Sequence, residues 1–200
     1  MANYIKKPLN MFIKNSSKLT ELELLFENIP PLSESGPWIA GECMLRMVME
    51  LDINNENTID IYVKNMNQFQ HYRDEIIKSK KVKFLNSENL PNTLWKGNVS
   101  FMNKIYHLSI LPQIHLSVVD ILDSFDLNIC QIGFDGTSVT FEARLSSSIT
   151  SKSMYLNKVS TPESFMENSM KYSKLGFNLP PSEISKFFKI VKNQSENVYG

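Results

Sequence analysis

The run Trp38-Ile39-Ala40-Gly41 constrains this chain more than any other. Three apolar residues stop at a glycine, and the stretch from Cys43 to Leu51, dense in helix formers, follows at once. The span reads as a strand, a glycine turn and a buried helix. The next regular segment, Thr58 to Val63, alternates cleanly. Ile59, Ile61 and Val63 share one face; Thr58, Asp60 and Tyr62 share the other. That is the two-residue period of a half-buried strand. The polar, Asn-rich stretch from Asp52 to Asn57 reads as the loop between them.

Other segments extend this unit in both directions. Residues 1–35 read as an N-terminal helical extension, with Leu22, Leu25 and Phe26 at helical spacing and a Thr20/Glu23 capping box; Pro30-Pro31 ends it. Asn67 to Lys80 predicts a helix with Phe69, Tyr72 and Ile76 on one face. Val82–Leu85, Val99–Met102 and Ile105–Leu111 predict consecutive antiparallel strands, since their connections are too short for crossover helices. Ser117 caps a short helix to Leu122. Phe125 to Ile132 alternates again and predicts a strand carrying Asp126, while Asp135-Gly136 is a hairpin signal leading into a strand over Ser138–Phe141. Beyond about residue 150 the pattern turns helical: Thr161-Pro162-Glu163 opens one helix, Gly176 stops it, and Pro180-Pro181 opens another. The expected fold is α+β, with a central mixed, largely antiparallel sheet of about five strands and flanking helices. The divisions are 1–35, a core over 36–150 and a C-terminal helical region over 151–200.

Composition narrows the function classes. The chain has 200 residues, 42% of them apolar, enough for one domain with its own core. Its 21 basic and 21 acidic side chains cancel, which argues against coating nucleic acid or membrane by bulk charge. No apolar run approaches the ~18–20 residues of a membrane span, and Met1 to Pro8 does not read as a signal peptide. Cys43 and Cys130 sit among apolar residues and read as buried thiols of a reducing compartment, so a cytoplasmic location is expected. Of the basic residues 18 are Lys and 3 are Arg, a usage that fits an A+T-rich genome such as many viruses and phages have. His71, His107 and His115 show no metal-ligand spacing, and Met44, Met47 and Met49 read as core filler.

The chemistry concentrates at Gly41 and on the strands beyond it. A glycine turn lets backbone N–H groups approach phosphate oxygens. About 17–20 residues further on, Asp60 stands on an alternating strand, and Asp126 stands on a later one. Two-metal phosphoryl or nucleotidyl transfer needs carboxylates converging on one spot. These residues, Ile39-Ala40-Gly41-Glu42 with Leu45-Arg46, Thr58 to Val63, Phe125 to Gln131, Asp135-Gly136 and the helix Pro162 to Tyr172, resemble the nucleotidyltransferase-fold superfamily. The resemblance spans roughly residues 36–180 and is nearest to small virus- and phage-encoded relatives of polymerase β and of the tRNA nucleotidyltransferase and poly(A) polymerase head domain. It implies an NTP and Mg²⁺ as cofactors, Asp60 and Asp126 as catalytic metal ligands, and Gly41, Glu42, Arg46 and Lys171 as nucleotide-binding residues.

Three departures bear on that implication. Relatives carry Gly-Gly or Gly-Ser at the turn; this chain has Gly41-Glu42, and a carboxylate there repels a triphosphate unless a cation intervenes. Relatives place two acids around one apolar residue; here the first is Thr58, a weak neutral donor. The stretch Phe165 to Met170 lacks the Arg that relatives carry before their Lys-Tyr pair, and Lys replaces a bidentate Arg poorly. Plain structural accounts stand beside these: Gly41 for the turn, Arg46 paired with Glu42 four residues back, Lys171 and Tyr172 on a solvated helix face. The expected function is therefore a degenerate nucleotidyltransferase-fold protein, a pseudoenzyme that binds a nucleotide, RNA or a viral or host protein partner. The alternatives are an active Mg²⁺-dependent nucleotidyltransferase acting on RNA or protein, and a structural, virion-associated or defence-countering scaffold.

Overall fold

A computed structural model describes residues 3–51, 58–79, 83–90, 94–101, 104–111 and 115–196. The loop read over 52–57, the strand ends Val82 and Met102 and the tail from 197 on lie outside the described residues. In chain order the elements are β1 (Tyr4–Pro8), α1 (Ser16–Asn28), β2 (Trp38–Ala40), α2 (Glu42–Val48), β3 (Thr58–Tyr62) and α3 (Met66–Lys78). A meander follows, β4 (Lys83–Leu90), β5 (Leu94–Phe101) and β6 (Lys104–Leu111), then α4 (Val118–Ser124), β7 (Ile132–Phe134) and β8 (Ser138–Glu142). Three helices close the chain: α5 (Leu145–Ser151), α6 (Pro162–Ser173) and α7 (Pro181–Glu196).

The strands form one sheet in the order β1-β8-β7-β2-β3-β6-β5-β4. Every neighbouring pair is antiparallel except β3 with β6. The sheet is mixed and largely antiparallel as expected, but it has eight strands among the described residues rather than about five. Growth at both edges accounts for the difference. Tyr4-Ile5-Lys6-Lys7-Pro8 lies in a region expected to be helical, yet it pairs with β8 residue for residue. Its lysines and closing proline suit an edge strand that must not recruit another chain. At the other edge β4 and β5 form a ribbon longer than their apolar cores suggest.

Alternation along β2 and β3 splits the packing between the two faces. Ile39, Ile59 and Ile61 enter the main core with Cys43, Met44 and Leu25. Trp38, Ala40 and Tyr62 face the opposite way and pack under Ile121 and Leu122 of α4. Ile39, Ile59 and Ile61 are each 0% exposed, so each contributes roughly 1.5–3 kcal/mol of burial. The helices mostly start where their caps predict: Ser117 accepts from Asp120 N and Thr161 from Ser164 N. Helix α1 differs. Asn15, not Thr20, is its cap, accepting from Lys18 N, and the Thr20 hydroxyl donates inside the helix to Ser16 O. Asn15 is as good a cap one turn earlier, so the Thr20/Glu23 box is not used.

The strand predicted over Phe125–Ile132 does not form. A single 3-10 turn covers Asn128–Cys130 and only Ile132–Phe134 is strand. The alternation marked no solvent face, because Asp126 and Asn128 are themselves buried. Their polar groups serve the backbone of the crossing segment 155–160. Asn128 Oδ1 accepts from Tyr155 N at 2.7 Å and its amide donates to Ser148 Oγ at 2.8 Å. Buried polar side chains used this way mimic a polar face in sequence.

Candidate functional site

Gly41 joins β2 to α2 with φ +83, a left-handed conformation that glycine adopts without penalty. A Cβ there would also lie 3.0 Å from the Phe125 ring. Both facts make glycine the fitting residue whether or not a ligand approaches. Glu42 opens α2 beside this turn. Its Oε1 accepts from Arg46 Nε at 3.0 Å, one helical turn on, and its Oε2 pairs with Lys171 Nζ from α6. The Glu42 side chain is only 12% exposed and Arg46 17%, whereas Lys171 is 53% exposed. Tyr172, beside Lys171, donates its hydroxyl to the Cys130 sulfur. Adjacent residues of α6 thus clamp it to two points of the core. Burial drives the Cys130 thiol up to about 12, so it is a packing group and not a nucleophile at neutral pH.

Asp60 lies on β3, an interior strand between β2 and β6. Burial pushes its carboxyl up to about 6; Lys171 and Lys96 oppose that rise and Glu42 adds to it. The sheet register shows what else shares its face. Asp60 is opposite Ser109 on β6, and Ser109 is opposite Lys96 on β5. One step along, Thr58 is opposite His107, whose Nδ1 lies 2.5 Å from Asn98 Oδ1. The face beside Asp60 therefore offers a hydroxyl, an amine and an imidazole. Ser109, Lys96 and His107 did not stand out in the linear sequence. The signal was present in the alternation of β5 and β6, but only strand register brings those positions next to Asp60.

Of the six residues singled out from sequence, the fold brings together Gly41, Glu42, Arg46, Lys171 and Asp60. Asp126 is occupied elsewhere. Its Oδ1 accepts from Ser160 N at 2.9 Å and Ser160 Oγ at 2.7 Å, and its carbonyl accepts from Asn157 N and Lys158 N. The charges acting on Asp60 are Lys171, Glu42 and Lys96; Asp126 is not among them. A cavity of about 540 Å³ between α1 and the β7–β8 turn, lined by Phe26, Phe134 and Leu32, shares none of these residues.

The donor set does not fit the metal cage that the fold implies. Divalent cations bound for nucleotidyl transfer are held by convergent carboxylates. Here Thr58 is neutral, Asp126 serves Ser160, and Glu42 is engaged by two cations. Among the described residues no group of three His, Cys, Asp or Glu side chains is placed to hold a metal ion. No helix among the described residues is long and apolar enough to cross a membrane.

The architecture has solved counterparts. A CCA-adding enzyme in complex with CTP superposes with a TM-score of 0.62 at 11% identity, over 94% of this chain and 47% of that one. The ATP complex of a CCA-adding enzyme gives 0.61 at 12%, again over 94% and 47%. A tRNA-processing enzyme without ligand gives 0.57 at 13%, over 90% and 48%. At such identities the likeness shows the fold, which is that of the nucleotidyltransferases, and the chain spans about half the length of these structures. No curated protein sequence matches.

Residues 4–152, well over half of the chain, match the Gad2 family, described as "Gabija anti-defense 2 family protein". The chain belongs to this anti-defence family, on a nucleotidyltransferase-like fold.

Proposed function

We propose that this chain acts in anti-defence by binding through the Gly41 cleft, with nucleotidyl transfer impaired. The observation that carries the reading is Glu42: a carboxylate held by Arg46 and Lys171 stands beside the Gly41 turn, where it would repel a triphosphate approaching the backbone N–H groups. Thr58 in place of an acid and the engagement of Asp126 by Ser160 support it. The bound class is a nucleotide, RNA or a host protein, met in the host cytoplasm by a phage-encoded protein. The alternative, Mg²⁺-dependent transfer from an NTP to RNA or protein, draws on the proximity of two carboxylates, since Glu42 acts electrostatically on Asp60.

The test is incubation of the wild type and Asp60→Ala with labelled NTPs, Mg²⁺ or Mn²⁺ and total RNA, alongside a cellular anti-defence assay. The expected result is no incorporation by either protein, with anti-defence activity retained in Asp60→Ala. Incorporation that Asp60→Ala abolishes sinks the reading and establishes the alternative. Activity gained by Thr58→Asp marks descent from an active ancestor.

A further inference from the structure

We propose that Glu42 is an internal occupant of the anion position beside Gly41, so that a phosphate-bearing ligand binds only by taking Lys171 from it. The inference rests on the reading of the cleft as a binding site.

The geometry assigns one cation to each carboxylate oxygen: Arg46 Nε to Oε1 at 3.0 Å and Lys171 Nζ to Oε2. The two cations are not equivalent. Arg46 lies on α2, four residues after Glu42, so its guanidinium stays beside that carboxylate while the helix is intact. Lys171 arrives from α6 on a long flexible stem and is 53% exposed. Its ammonium can turn to an incoming anion without any backbone movement. Arg46 is fixed and Lys171 is exchangeable.

Glu42 then sets which ligands enter. A polyphosphate meets a carboxylate already seated on both cations, and the Asp60 carboxylate interacts electrostatically with that same Glu42. It gains Lys171 only by breaking that lysine's pair with Glu42, and once bound it sits against a carboxylate that has lost this cation. A ligand without phosphate breaks no ion pair. The contact is an autoinhibitory one, built from the residue that most clearly departs from the family resemblance. Phe165 and Tyr172, buried in the core, keep α6 in place when Lys171 lets go, so release of the lysine leaves the helix docked.

The experiment is calorimetric titration with inorganic tripolyphosphate, and with adenosine as a phosphate-free probe. Glu42→Gln keeps the size of the side chain and removes its charge. It is expected to tighten tripolyphosphate binding by about tenfold or more, with a clearly smaller change for adenosine. Glu42→Gln combined with Lys171→Met is expected to lose that gain. Lys171→Met alone, at an exposed position that the fold tolerates, is expected to bind tripolyphosphate no better than wild type. Tripolyphosphate binding by Glu42→Gln no tighter than wild type overturns the proposal, as does a gain that survives Lys171→Met. Transfer of labelled nucleotide by the wild type refutes the binding reading above and leaves this affinity ratio standing. Failure of the ratio without transfer refutes the internal occupant alone.

Discussion

Asp60 offers the sharpest energetic test, because its protonation should be visible in stability. Burial raises its carboxyl from 3.8 to about 6, with Lys171 and Lys96 only partly offsetting the cost and Glu42 adding to it. The folded protein therefore holds this proton more tightly than the unfolded chain does. Between these two values the folded state binds more protons, so stability falls as pH rises through the window. At roughly 1.4 kcal/mol per pH unit, the full difference is about 3 kcal/mol. Partial exposure of the side chain makes that an upper bound. Asp60→Asn removes the charge at nearly constant size. The variant should match wild type near pH 4 and exceed it by about 1–3 kcal/mol at neutral pH and above. Urea unfolding of both proteins at about pH 4.5, 6 and 7.5 measures this, with m-values confirming a common two-state transition. A variant less stable than wild type at neutral pH refutes the reasoning. So does a stability difference that does not change with pH, since every other titrating group is common to both proteins.

Gly41→Ala is expected to cost about 1–3 kcal/mol by thermal melting, from the left-handed backbone and the Phe125 ring 3.0 Å from the new Cβ. In a Phe125→Leu background only the steric part should be recovered; full recovery would show that the backbone is not strained. Asp126→Ala strips two hydrogen bonds from Ser160 and should destabilise by about 1–3 kcal/mol, while leaving tripolyphosphate affinity at the Gly41 cleft unaltered. A loss of that affinity would return Asp126 to the site. Asp135 should behave oppositely to Asp60 with pH. Burial acts to raise its carboxyl, but bonds from Ser138 N, Lys6 and Thr137 outweigh that and hold it below the usual range. Its stabilisation should therefore be present above about pH 4 and fade as pH falls further, and the wild-type advantage over Asp135→Ala in acid unfolding should shrink accordingly.

The parts legible in the sequence were those with a local cause. The β2–Gly41–α2 unit follows from an apolar run stopped by glycine, and β3 follows from strict alternation. The Asp135-Gly136 turn has its own chemistry: Asp135 Oδ1 accepts from Thr137 N, Thr137 Oγ1 and Ser138 N. The Glu42–Arg46 pair was equally readable from a four-residue spacing. What escaped was non-local. β1 exists because β8 presents a free edge, which nothing within Tyr4–Pro8 announces. Phe125–Ile132 alternates for a reason other than strand formation, since Asp126 and Asn128 turn inward to satisfy the backbone of a segment some 30 residues away. A period-two pattern reports two different environments and does not say that either is water.

That same distinction governs the site. A carboxylate has meaning only through its partners, and partners are set by the fold. Asp126 and Asp60 look alike in sequence, each on an alternating stretch. In three dimensions Asp126 is consumed by a serine hydroxyl and an amide, while Asp60 is left in a half-buried position with lysines and a glutamate acting on it. Glu42 shows the converse. Read alone it is an intruder that repels phosphate; read with Arg46 and Lys171 it is the anion those cations already hold. On the proposed reading, the neutral Thr58 offers a metal less than a carboxylate would, and Glu42 already pairs with Arg46 and Lys171, so both departures would weigh against transfer. On the same reading they leave binding possible, since the turn, the exposed Lys171 and the polar row Asp60–Ser109–Lys96 are all present.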